Sequence, residues 1–196
     1  MARVGELRSE LESLGLELPI SLRVGIDDAE ILTGAAPASV SVARWVGRLT
    51  ADSTKSVAAR FADAARKSGA AIEWELSCAA HELPALVRRA LRGAGPAGHP
   101  AVFSLAAEAP LHDYRVLVSA LADAGAARAP IVLRHRLEAV AKQSAGWVGT
   151  NGVSEAALLD ASVRLGSLLC DGIGDVVSMQ SEIGAAPAVD LAYRVL

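Results

Sequence analysis

The sequence predicts an α/β fold: parallel β/α repeats forming a partial or degenerate TIM-barrel-like domain. Short apolar runs of strand length alternate with segments of helical periodicity. The connections between them are short, which selects a parallel sheet covered by helices. With 196 residues, the chain is shorter than the ~250 residues and eight strands of a full barrel. A barrel built from it is therefore partial, or completed elsewhere.

The elements follow in order. Residues 1–15, "MARVGELRSELESLG", form an amphipathic helix that reads as an appendage. "ISLRVGI" (20–26) is a strand. The stretch 27–50 contains Gly34 and Pro37 and then "VSVARWVG", which fits helix and strand alike. Residues 52–67 place Val57, Ala58, Phe61, Ala64 and Ala65 on one helical face, and Gly69 ends that helix. "AIEWELS" (71–77) alternates as a strand does. Residues 81–95 are helical, and "RGAGPAGHP" (92–100) is a helix-to-strand loop. "AVFSLA" (101–106) is a strand, 111–125 a helix ended by Gly125, and "PIVLRH" (130–135) a strand. Residues 154–172 are helical, with Ser154 as N-cap and Glu155 favourable at the positive end of the helix dipole. "VVSMQ" is the next strand, and 186–196 the last helix. No low-complexity linker divides the chain, so residues 1–196 read as one β/α domain.

Composition removes several functions. The chain is 52% hydrophobic and 21% charged, a globular balance. A formal charge of −3 with only 4% aromatic residues argues against nucleic acid as a partner. The charged N-terminal segment is no signal peptide, and no uncharged apolar stretch approaches ~18 residues, which argues against a membrane. Cys78 and Cys170 stand far apart in apolar contexts, and two cysteines alone make neither a zinc site nor an iron–sulfur site. They read as small buried hydrophobes of a cytoplasmic protein.

Strand-to-helix loops carry the chemistry of such folds, and helix-to-strand loops carry stability. The loop "CDGIGD" (170–175) joins a helix to a strand. Gly172 and Gly174 suit a phosphate cradle, and Asp171 and Asp175 suit a metal or acid–base pair, but the position favours a structural turn. Gly172 is expected as the helix terminator, with Ile173 packing back on Leu168 or Leu169. On the opposite face the candidates are Asp27, Asp28, Cys78, His81, Glu108, Arg134, His135, Arg136, Ser178, Gln180 and Glu182. Cys78 and His81 are at best half a metal site. Arg134, His135 and Arg136 form either an anion clamp or else a solvated strand end or docking contact. No Walker loop, GxSxG, HExxH or GxGxxG motif is present.

Four segments in order, "LRVGID" (22–27), "VFSLAAEAPLHDYRVLVSAL" (102–121), "APIVLRHRLEA" (129–139) and "LGSLLCDGIGD" (165–175), resemble one family. They are similar to the catalytic barrel of 4-hydroxy-3-methylbut-2-enyl diphosphate synthase, the iron–sulfur oxidoreductase of the methylerythritol phosphate route to isoprenoids. "LLCDGIGD" is the most specific piece. The family follows its "PI-L" strand with Thr-Glu-Ala-Gly, where this chain has Arg134, His135 and Arg136. The family's next strand carries Arg and Ser for the diphosphate, where this chain reads "VVSMQ". Such an outline without its substrate groups resembles the barrel-like insert of the three-domain form. The resemblance then implies a non-catalytic insert domain or fragment. It would position the iron–sulfur domain against the catalytic barrel, with both as its partners. The 4Fe–4S cluster would belong to a domain outside this chain, and no metal, cofactor or catalytic residue carries over. The alternatives are a small phosphate-binding β/α enzyme acting on an anionic metabolite through Arg134 and Arg136, and a stand-alone interaction module.

Overall fold

The computed structural model describes residues 21–24, 43–94, 100–106, 109–137, 154–181 and 185–196. They fall into two compact units. The first holds Ala85–Val102 and the chain up to Cys78; the second holds Ala79–Pro84 and Phe103–Leu196. No described helix is long and apolar enough to cross a membrane.

In the first unit, strands β1 (Ser21–Val24), β2 (Arg44–Thr50) and β3 (Ala71–Ser77) lie side by side in chain order, all parallel. The ambiguous "VSVARWVG" thus resolves as strand from Arg44 onward. Its period-two pattern sends Trp45 and Leu49 toward helix α1 (Lys55–Lys67), where Phe61 packs between Trp45 and Trp74. The ring centroids are 6.0 Å and 5.2 Å apart, in the tilted geometry aromatic pairs favour. Gly47 gives Phe61 its space: a Cβ there would stand 2.6 Å from Phe61 Cζ. Helix α1 starts at Lys55 rather than 52, because the Thr54 hydroxyl accepts from Val57 N–H and fixes the N-cap. The Arg89 guanidinium of helix α2 (Leu83–Gly93) donates to the carbonyls of Ala51 and Ser53 and holds the loop after β2. Strand β4 (Ala101–Leu105) starts in this unit, where Ile72 N–H donates to Pro100 C=O at 2.9 Å.

In the second unit, β4 continues from Phe103 and is followed by β5 (Ile131–Leu137) and β6 (Val176–Ser181), again parallel and in chain order. Among the described strands, neither unit shows the reversal of strand order that marks a doubly wound sheet, and consecutive winding is the habit of β/α barrels. Helix α3 (Leu111–Asp123) follows β4. Helix α4 (Glu155–Ala161) runs through a π turn (Ser162–Gly166) into the short α5 (Ser167–Cys170). Helix α6 (Ala185–Val195) packs on α4 and β6, with Leu191 fully buried beside Leu137 and Ala161.

Two boundaries shift for physical reasons. The helix expected over 81–95 starts at Leu83: His81 and Glu82 belong to a 3₁₀ turn, where Glu82 Oε2 accepts from Ala79 N–H at 3.1 Å. Strand β5 runs on to Leu137, so Arg134, His135 and Arg136 lie within the strand, before its end.

Candidate functional site

The side chains able to do chemistry lie mainly on the sheet faces turned away from the helices. In the first unit, alternation puts Arg44, Val46 and Arg48 of β2 on the face shared by Glu73 and Glu75 of β3, with Arg48 directly opposite Glu75. Glu73 is 0% and Glu75 1% exposed. Arg44 Nε stands 3.2 Å from Glu73 Oε2, and both Arg48 Nε (2.8 Å) and Nη2 (2.6 Å) reach Glu75 Oε1. Both buried carboxylates thus sit beside an arginine of the next strand, Glu75 in a charge-assisted hydrogen bond and Glu73 in an ion pair, which is the condition for keeping such groups inside a fold. Sequence reasoning missed them. The signal was "IEWELS", which sets both acids on one face of a strand; parallel sheets are covered on both faces, so that polar face had to be buried and paired.

In the second unit, β5 divides the Arg-His-Arg run. Arg134 and Arg136 share one face, with Ser178 and Gln180 of β6 beside them in register, and Ser104 of β4 on the same face. Arg134 is buried, its Nε donates to Ser104 Oγ at 3.2 Å, and Arg136 is exposed. The β4–β5 pairing runs Phe103↔Ile131 and Ser104↔Val132. Just beyond it, the Tyr114 hydroxyl of α3 accepts from Arg134 N–H at 3.0 Å and donates to Val132 C=O at 3.4 Å. It takes the place a neighbouring strand would otherwise fill.

His135 points to the opposite face and does not join the arginines. It is 5% exposed, with Nε2 3.8 Å from Asp160 Oδ2 of α4. Burial lowers its pKa, nearby Asp160 opposes that shift, and Arg164 adds to it. Asp160 also binds Arg164 Nε at 2.9 Å.

The 170–175 loop is spent on backbone. Gly172 has φ +74°, its N–H donates to Leu169 C=O, and Ile173 N–H donates to Leu168 C=O at 2.8 Å, a Schellman ending of α5. Leu168 is the buried leucine of this turn, and Leu169 is only half-buried. Asp171 pairs with Arg115 at 2.7 Å. Asp175 exchanges two 2.8 Å bonds with Ile131: its N–H donates to Ile131 C=O, and its Oδ2 accepts from Ile131 N–H. Gly174, at φ +111°, lies where a Cβ would come 2.6 Å from Leu133.

Among the other candidates, Cys78 is half-buried and His81 exposed. Asp27, Asp28, Glu108 and Glu182 lie outside the described residues, as do the 1–15 helix and 27–42. Among the described residues, no three of His, Cys, Asp and Glu gather as a metal site. A 4Fe–4S cluster takes four thiolates, and the chain offers Cys78 and Cys170. The residues present do not fit such a group.

In each unit, the described strands run parallel in chain order, with polar side chains on the sheet face away from the helices. No family model matches the chain. It is similar to 4-hydroxy-3-methylbut-2-en-1-yl diphosphate synthase (flavodoxin) of Chlorobaculum tepidum, 27% identical over 197 aligned residues. That alignment covers 97% of this chain and 24% of the relative, so the chain spans about a quarter of the curated protein it matches. Among solved structures, phospho-2-dehydro-3-deoxyheptonate aldolase of Thermotoga maritima aligns at 10% identity, covering 72% of this chain and 47% of that one, with a TM-score of 0.31. A truncated 3-deoxy-D-arabino-heptulosonate 7-phosphate synthase from the same organism aligns at 10% identity, covering 82% and 74%, with a TM-score of 0.30. These scores are too low to carry an argument.

Proposed function

We propose that this chain is a non-catalytic β/α domain related to 4-hydroxy-3-methylbut-2-enyl diphosphate synthase, acting as the insert that positions an iron–sulfur domain against a catalytic barrel. The observation that carries this reading is the span of the alignment: nearly all of this chain, but 24% of the relative. A domain-sized stretch of a larger enzyme is what such a match describes. The filled sheet face supports it. In the first unit, the carboxylates on the sheet face away from helix α1 are taken by Arg44 and Arg48. At the 170–175 corner, Asp171 and Asp175 are engaged by Arg115 and Ile131. The reading places the protein in the cytoplasm, with the catalytic barrel and the cluster domain as partners and no cofactor of its own.

One arrangement favours the second reading, binding of an anionic metabolite: Arg134, Arg136, Ser178 and Gln180 on one face of β5 and β6. A single titration separates the two. Calorimetry of the chain with the cyclic diphosphate substrate of the synthase and with simple phosphosugars should show no saturable heat. Micromolar binding that disappears in Arg134→Ala or Arg136→Ala would overturn the positioning role in favour of a ligand site.

A further inference from the structure

His135 is buried on the helix side of β5, away from the arginines. Among the described residues, charge reaches the ring from Asp160 of α4 and Arg164 of the π turn. The Asp160 carboxylate stands between them. Its Oδ1 accepts from Arg164 Nε at 2.9 Å, while its Oδ2 is 3.8 Å from His135 Nε2, too far for a hydrogen bond. The other elements on this face bring no charge to the ring. Strand β6 sets Met179 beside His135 in register, and α6 brings Leu191 and Val195, with Asp190 and Arg194 paired to each other. Helix α3 meets β5 through the Tyr114 hydroxyl, and its Arg115 is held by Asp171. The closed arrangement therefore suits a neutral ring. A protonated one would be buried beside a single anion already bonded to Arg164.

The chain above the ring has a place to bend. Helix α4 is short, and the π turn separates it from α5; such turns within helices recur at functional sites. There the Ser167 hydroxyl donates to Val163 C=O, and Gly166 has open space where a Cβ would stand. Beyond the turn, α5 is anchored by its Schellman ending, by the Asp171–Arg115 pair and by the two bonds between Asp175 and Ile131. Helix α4 is held differently, through Ala161, Ala157 and Leu158 in the apolar cluster with Leu137 and Leu191. We propose that α4 is a hinged flap latched by neutral His135: on acidification the ring takes a proton from solvent and α4 swings off β5 about the π turn, while α5 and its corner stay docked. Lifting α4 hydrates the imidazolium and returns the ring to its ordinary proton affinity. This stands independently of the role proposed above.

Amide hydrogen exchange of the full chain, corrected for the intrinsic effect of pH, reads the opening. Going from about pH 7.5 to about pH 5.5, roughly one unit below the ordinary histidine value, should favour the open flap about tenfold. Protection at Leu158 and Ser162, whose N–H groups bond within α4, should fall by that factor, while amides between β5 and β6 keep theirs. His135→Gln should abolish the fall. Followed by NMR, the imidazole midpoint should rise in Arg164→Gln, which removes a cation opposing protonation, and drop in Asp160→Asn, which removes the anion favouring it. Equal protection of α4 at both pH values overturns the proposal. So does a fall that survives in His135→Gln, a fall that β5 and β6 share in full, or an Arg164→Gln midpoint no higher than the parent's.

Discussion

Strands β2 and β3 in the first unit and β5 in the second bury charge in different ways. Between β2 and β3 the register runs unbroken from Arg44↔Ala71 to Thr50↔Ser77. Side chains on the shared face meet at fixed spacing, and the acids are held by arginines of the next strand. The β4–β5 pairing is short. There, buried Arg134 is held by a hydroxyl on β4, and its backbone is completed by a tyrosine from a helix. A long ladder can organise ion pairs; a short one relies on side chains brought in by its helix.

The largest effect should come from breaking the long ladder. Arg48→Met takes from the buried Glu75 carboxylate the guanidinium whose Nε and Nη2 both reach Oε1, and should cost about 3 kcal/mol in urea unfolding. Adding Glu75→Leu should return most of that loss, since two apolar side chains replace a buried pair at little cost. A double variant no more stable than Arg48→Met would show that Glu75 is held mainly by other groups. Next is the corner that aligns β6 with β5. Gly174→Ala meets both a positive φ and Leu133, and should lose about 2 kcal/mol. Gly172→Ala, with open space at its Cβ, should lose about half as much.

A smaller effect tests the short ladder. Tyr114→Phe keeps the ring and removes the hydroxyl that accepts from Arg134 N–H and donates to Val132 C=O, for about 1.5 kcal/mol. Equal stability of the two proteins would mean that solvent reaches that strand end. The smallest is a pH dependence. Unfolded His135 binds a proton near pH 6.5, whereas the buried folded form resists it. The unfolded state therefore holds more protons below that pH. The contribution is complete above pH 6.5 and is lost as pH falls toward the lowered folded value. His135→Gln should flatten the fall of stability below about pH 6.5. Asp160→Asn, which removes the charge favouring the protonated ring, should steepen it.

The alternation of strands and helices was legible because each amphipathic helix states its period plainly, as Phe61 and its alanine neighbours do. The corner at 171–175 was legible because a glycine after a leucine-rich helix has few other uses. The polar sheet face was not. A charged residue in a strand reads as a surface, and nothing in "RHRL" says that the strand continues through it. Period two gives the partition of Arg134 from His135 only once that continuation is known. Arg44 and Arg48 had no face to share until β2 was a strand. Burial of Glu73 and Glu75 depends on both neighbours of β3, which local pattern does not contain.

The Tyr114 bridge also makes one proton a local clock. The amide hydrogen of Arg134 is held by a hydroxyl from α3, so exchange with heavy water requires that helix to lift, even while β5 stays paired to β6. Its exchange rate should follow docking of α3, and should speed up in Tyr114→Phe while the amides facing β6 keep theirs.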